Sequence, residues 1–206
     1  MYEKFFSAAK FTRSAPKTSF LPADCGYEVA FLGRSNAGKS SAINALTRQN
    51  SLARTSKTPG RTAALNIFEF DDERRLVDVP GFGFAKVSLV VKESWRKLIN
   101  EYLLHRSCLQ GVVVVMDIRH PCNDTEMSLL TWLHKAELNT HVILTKADKL
   151  GKSAKQQALK KVQLELAVWP NITLSLFSSK NKEGLDNLRA KLLGWYKVES
   201  SGEDTL

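Results

Sequence analysis

The run GRSNAGKSS, residues 33–41, leaves this chain few folds to choose from. It follows YEVAFL, residues 27–32, which reads as a strand, and passes into a helical segment that starts near Lys39. The spacing Gly-x-x-x-x-Gly-Lys-Ser lets the backbone curl at Gly33 and Gly38. Successive N–H groups then converge at the N-terminus of the following helix, where an anion is stabilised. In that cradle Lys39 would neutralise the β- and γ-phosphates of a nucleotide, and the Ser40 hydroxyl would bind Mg²⁺. A strand feeding a phosphate loop and then a helix belongs to an α/β sheet with parallel neighbours.

The rest of the chain keeps that alternation. ALNIFEF and RRLVDV flank Asp71-Asp72 and read as a hairpin, and KESWRKLINEYLLHR (92–106) has helical periodicity. GVVVVMDI (111–118) is apolar throughout, as a central strand covered on both faces must be. A helix is expected from DTEMSLLTWLHKAEL (124–138), capped by Asp124 or Thr125. Strand HVILT, helix KSAKQQALKKVQLELAV, strand ITLSLF and helix KEGLDNLRAKLLGWYKV follow. There is no repeat and no second core, so the expectation is one mostly parallel α/β sheet wrapped by helices.

With 206 residues the chain is long enough for one α/β domain with a substantial core. No apolar run reaches the roughly 18 to 20 residues of a membrane span, and the N-terminus lacks the apolar core of a secretory signal. Cys25, Cys108 and Cys122 are odd in number and lack metal-like spacing, which suits reduced thiols of a cytoplasmic protein. The net charge of +9 favours polyanions, although a solvated basic surface gives the same count. Residues 1–25 interleave Lys4, Lys10, Arg13 and Lys17 with Tyr2, Phe5, Phe6, Phe11 and Phe20. Such a segment either clamps RNA or staples itself to its own domain, and stapling is the preferred expectation. Residues 198–206 read as an acidic, disordered tail behind a domain at 26–197.

Which nucleotide fits is decided downstream. In TKAD (145–148), after a strand, Asp148 can accept both the N1–H and the 2-amino group of guanine, a pair that adenine lacks. Lys146 would lie along the base plane, and the backbone of FSS (177–179) can donate to the guanine oxygen. Asp78, at a strand end, should hold Mg²⁺ through a water, and the Gly81 N–H should touch the γ-phosphate. The loop RTSKTPGRTAA (54–64) carries Thr58 and Thr62, one of which should complete the metal shell. Spacing does not choose between them.

With these segments assembled, the sequence resembles the EngB (YihA/YsxC) family of bacterial ribosome-assembly GTPases, in the TrmE-Era-EngA-EngB-Septin-like branch. The resemblance covers roughly residues 25–197 through GRSNAGKSS, TPGRT, DVPGFGFA, TKAD and SS, in that order. It implies a Ras-like P-loop fold: a mostly parallel six-stranded sheet with one antiparallel edge strand and helices on both faces. It also implies GTP and GDP binding, Mg²⁺, a role in maturing the large (50S) ribosomal subunit, and a link to cell division and septation. The nucleotide contacts it carries over are Gly33, Arg34, Ser35, Asn36, Ala37, Gly38, Lys39, Ser40 and Ser41 of the phosphate loop. Gly60, Arg61, Thr62, Ala63 and Ala64 follow, then Asp78, Val79, Pro80 and Gly81. On the base side they are Thr145, Lys146, Ala147, Asp148, Phe177, Ser178 and Ser179. It makes Thr62 the metal ligand beside Ser40 and Asp78, and gives Lys39, Asn36 and Gly81 the catalytic roles. Where GTPases commonly have Asn, Thr145 stands here, as in the family, which is expected to weaken the loop-tying and base contacts.

Phe82 stands where many GTPases place a water-orienting Gln, and a phenyl ring cannot orient water by hydrogen bonding. Three readings coexist: Phe82 and Phe84 pack a loop; hydrolysis is slow and a partner completes the site; or K⁺ near Asn36 stabilises developing charge. The expected partner is a large-subunit precursor, with Lys152, Lys155, Lys160 and Lys161 on helix 152–168 a candidate RNA contact or simply a solvated face. DNA is not expected, and the chain is expected to be a monomer. A GTP-dependent RNA-binding or scaffold module with incidental hydrolysis is the alternative. A metabolic kinase or ATPase would need an acceptor-substrate lid that the sequence lacks.

Overall fold

Alternation between two faces organises the central strands. In the computed structural model, which describes residues 2–53, 64–82 and 89–198, seven strands form one sheet. They are β1 (Lys10–Ala15), β2 (Tyr27–Gly33), β3 (Leu65–Glu69), β4 (Arg74–Asp78), β5 (Leu109–Asp117), β6 (Thr140–Thr145) and β7 (Ile172–Leu176), in spatial order β1-β3-β4-β2-β5-β6-β7. β4, β2, β5, β6 and β7 run parallel, and β3 is antiparallel to both of its neighbours. In β5, Val112, Val114 and Met116 enter one core while Val113 and Val115 enter the other, so the unbroken apolar run is the signature of burial on both sides.

The helices divide between those two cores. α3 (Leu89–His105), α4 (Asp124–Lys135) and α5 (Lys152–Leu166) cover one face with Tyr102, Leu130 and Val162 among others. The opposite face is covered by α1 (Tyr2–Ser7), α2 (Lys39–Thr47) and α6 (Leu185–Trp195), through Phe6, Ile43, Leu46, Leu188 and Leu192. α4 is capped one residue earlier than expected: Asn123 accepts from the Glu126 N–H at 3.2 Å while Glu126 reaches back to the Asn123 N–H. α6 starts at Leu185 rather than Lys182, because Gly184 sits at φ +75° and interrupts the helical path.

The sheet has one strand more than the six expected. β1 pairs antiparallel with β3, from Lys10 opposite Glu69 to Ala15 opposite Leu65, with a bulge between Phe11 and Arg13. The antiparallel strand β3 is therefore interior, and β1 holds the edge. The four phenylalanines of the first twenty residues split into two groups. Phe6 is fully buried, and Phe5 packs on Phe70 and Tyr196, whereas Phe11 and Phe20 stay about half exposed. The acidic segment 199–206 lies outside the described residues.

At the end of the sheet where β2, β4 and β5 begin, a charged cluster is closed off from water. Glu28, fully buried, accepts from Arg75 Nε at 3.0 Å, from Arg106 Nε at 3.0 Å and Nη2 at 2.5 Å, and from the Tyr102 hydroxyl at 3.3 Å. Burial, with Glu28 nearby, pushes the Cys108 thiol up to about 12, so it stays protonated.

A second buried titratable group gives the fold a pH dependence. His141 on β6 sits between two β7 hydroxyls, with Nδ1 2.8 Å from Thr173 Oγ1 and Nε2 3.0 Å from Ser175 Oγ. Burial, aided by the Lys191 charge, pulls its pKa down from 6.5 to about 4. Between those values the unfolded chain binds a proton that the folded chain refuses. Stability contributed at pH 7 is therefore intact above about 6.5 and is lost as the pH falls toward about 4, a total of about 3 kcal/mol. Urea unfolding at about pH 7 and about pH 4.5 should show that loss, and His141→Gln should flatten it.

Candidate functional site

The carboxyl ends of β2, β4, β5 and β6 lie side by side, where the chain leaves β2 between one neighbour on each side. In an open α/β sheet this switch point is where a ligand crevice forms. Asn36 at φ +66° and Gly38 at φ +102° turn the chain sharply, and the Ala37 N–H closes the turn on the Arg34 carbonyl at 3.1 Å. A Cβ on Gly38 would meet Thr145 Oγ1 at 3.3 Å, in a conformation L-residues rarely adopt. As the N-cap of α2, Gly38 brings no side chain to the helix's first-turn N–H groups, which suits a helix start meant for an anion. Arg34 and Asn36 are exposed, Ala37 is buried, and Ser41 lies exposed on the first turn.

Lys39 and Asp78 meet across this crevice. Their side chains form an ion pair, each about nine-tenths buried, that joins the start of α2 to the end of β4. Beyond Asp78 the chain stays attached to the phosphate loop. The Val79 N–H donates to Phe31 O at 3.0 Å, the Phe82 N–H to Gly33 O at 3.2 Å, and the Ser35 N–H to Phe82 O at 3.0 Å. These bonds run Val79-Pro80-Gly81-Phe82 alongside residues 33–35 as a short parallel bridge. Phe82 is 9% exposed, so its ring packs at the root of the loop. Thr58, Gly60, Arg61, Thr62, Ala63 and Phe84 lie outside the described residues, while Ala64, directly before β3, is half-buried.

The other pole is assembled by β6 and β7. Lys146 adopts φ +59° ahead of a short 3₁₀ turn, Ala147–Lys149, and the buried Ala147 donates its N–H to Phe177 O at 3.1 Å. The Asp148 carboxylate accepts from the buried Ser178 hydroxyl at 2.6 Å. That bond holds Asp148 below the usual carboxylate range, so it is ionised at neutral pH as a pure acceptor. Ser178 is itself fixed: its N–H donates to Glu183 O at 2.9 Å, and its Oγ accepts from the Lys180 N–H at 3.2 Å. Ser179 is exposed beside it. Gly184 makes this return loop possible, since a Cβ there would stand 1.8 Å from Leu176 O.

Two ties join the poles. The Thr145 hydroxyl lies 2.5 Å from Ala37 O and 2.9 Å from Met116 O, and its single proton serves one of the two. Thr145, standing where GTPases commonly have Asn, thus has a side-chain tie to the phosphate loop through its hydroxyl. Lys146 Nζ donates to Asn36 O and to Asp117 Oδ2, both at 2.8 Å. Asp117, at the end of β5, is also gripped by Arg119. The sequence alone does not single out Asp117, Arg119 or Gly184. A strand-end Asp reads as an ordinary turn residue, and Lys146 lies far from it along the chain.

Comparison with known proteins agrees with this arrangement. A family model described as "50S ribosome-binding GTPase" matches residues 28–146. A probable GTP-binding protein EngB of Pseudoalteromonas atlantica is 54% identical over 193 residues, 93% of each chain. One of Idiomarina loihiensis is 50% identical over 199 residues, 96% of this chain and 97% of that relative. Among solved structures, a probable GTP-binding protein engB superposes with a TM-score of 0.67 at 21% identity, covering 84% of this chain and all of that one, a likeness of fold.

Proposed function

The chain belongs to the EngB family of GTP-binding proteins and is a GTPase, and from that premise we propose a slow, Mg²⁺-dependent switch in assembly of the large ribosomal subunit. The observation that carries this reading is the joined pair of poles: a phosphate loop with Lys39 at one end, and an ionised Asp148 held by Ser178 at the other. The description of the matching family model points to the ribosome, and a net charge of +9 suits a partner rich in phosphate. Lys152 and Lys160, exposed on α5, are candidate RNA contacts, while Lys155 is tied to Glu183 at 2.7 Å.

On binding, the N–H groups of residues 33–40 and the Lys39 ammonium would take the phosphates, so Lys39 leaves Asp78 for a stronger anion. Asp148 would accept the two guanine donors, and the FSS backbone would donate to the guanine oxygen. Ser40 and Asp78 offer hard oxygen donors of the kind Mg²⁺ selects, with Thr62 the third. Held there, Mg²⁺ would supply positive charge to offset that of the phosphates. The Gly81 N–H would report the γ-phosphate. Phe82 lacks any group to align water, so unaided hydrolysis is slow, and a ribosomal partner or K⁺ beside the exposed Asn36 completes the site. No helix of the described residues is long and apolar enough to cross a membrane. The chain would act as a cytoplasmic monomer, with a secondary influence on cell division and septation.

Turnover of GTP and ATP with and without large subunits, in K⁺ and in Na⁺, tests this. GTP should be preferred, and subunits should accelerate its hydrolysis by about tenfold or more. Equal use of ATP would overturn the base assignment. Indifference to subunits, with RNA binding preserved, would favour a scaffold whose hydrolysis is incidental.

A further inference from the structure

We infer that Asp117 is a positioning residue for nucleotide retention, acting through Lys146, an inference that rests on the guanine-nucleotide reading above. Asp117 closes β5, and its carboxylate receives four donors. Oδ1 accepts from the Arg119 N–H at 3.0 Å and from Arg119 Nε at 2.9 Å; Oδ2 accepts from Arg119 Nη2 at 2.6 Å and from Lys146 Nζ at 2.8 Å. The Arg119 fork fixes the plane of the carboxylate, and the remaining direction is given to Lys146. Lys146 then spends its second hydrogen bond on Asn36 O, at the apex of the phosphate loop.

A lysine has one of the largest side-chain entropies to lose when it is immobilised. If Lys146 were loose, each binding event would have to order it before it could line the base and brace the loop. Fastened between Asp117 and Asn36, it is already ordered, and preorganisation of this kind appears as slower dissociation. The Asp117 carboxylate takes its hydrogen bonds from Arg119 and Lys146, not from Lys39, Asp78 or Gly81, the residues set against the γ-phosphate. Asp117 should therefore hold GDP and GTP equally and leave the chemical step alone. Arg119 is about half exposed, so the outer side of this clamp stands at the surface.

Release of fluorescently labelled GDP and of a labelled non-hydrolysable GTP analogue, with steady-state GTP turnover, tests the role in Asp117→Asn, Asp117→Glu, Lys146→Ala and the double variant Asp117→Asn/Lys146→Ala. Asp117→Asn should speed both releases about tenfold and raise KM to match, the scale of one charge-assisted hydrogen bond, with kcat within about twofold. Asp117→Glu should regain most of the loss, and the double variant should behave like Lys146→Ala alone. Release unchanged in Asp117→Asn, effects that simply add in the double variant, or a fall in kcat at constant KM would each overturn the inference. A wild-type chain that retains no guanine nucleotide would instead sink the reading on which it rests.

Discussion

Asp148→Ala is expected to erase the preference for GTP over ATP, lowering GTP affinity by about a thousandfold or more while the nucleotide-free protein stays folded. A site whose acceptor has been shaped to two donors discriminates strongly, because a base without them leaves the charge unpaired. The structure gives the Asp148 carboxylate a side-chain donor in the Ser178 hydroxyl at 2.6 Å, on Oδ1, and two carboxylate oxygens keep acceptor capacity for the base. Asp148→Asn sharpens the test. An amide offers a donor where the carboxylate accepts, so it should prefer a purine with an oxygen at C2 and accept xanthosine triphosphate in place of GTP. Calorimetric titration with all three nucleotides measures both shifts. A GTP preference that survives Asp148→Ala would place base recognition elsewhere.

The largest effect on stability is expected from Glu28. Glu28→Gln preserves volume but removes the negative charge that faces the buried side chains of Arg75 and Arg106. Breaking a buried ion pair from one side costs about 3–5 kcal/mol, out of the about 5–15 kcal/mol that holds a typical domain together. Urea denaturation should report that loss. The exposed pair Lys161–Glu165, at 3.9 Å on α5, makes the control, because separating it should change stability by less than about 0.5 kcal/mol. A Glu28→Gln loss below about 1 kcal/mol would mean that water reaches the cluster.

How much of this could be read from the sequence depended on how local the cause was. GRSNAGKSS and its flanking strand and helix carry their geometry in consecutive residues, and the valines of β5 announce burial on both faces without reference to anything distant. β1 did not announce itself. KFTRSA has five exposed residues and one buried, because an edge strand over a bulge meets the core only at Ala15, and no alternation results. α1, with six residues, is too short for periodicity to show. The site divides the same way. Asp148 and Lys39 were legible from spacing, whereas the Asp117–Lys146 clamp and the Glu28 cluster join residues brought together only by the sheet. Gly184 was hidden for another reason: its role is to avoid a collision with Leu176, and nothing beside it in the chain records that neighbour.

The edge position of β1 also has a consequence for how the polypeptide is made. Its partner β3 lies about fifty residues further along, since Ala15 pairs with Leu65. At about 5–20 residues per second, translation delivers that partner roughly 3 to 10 s after β1 itself. Until then a basic segment with Phe5, Phe6, Phe11 and Phe20 has no template, so this segment waits for one made later before it can be folded away.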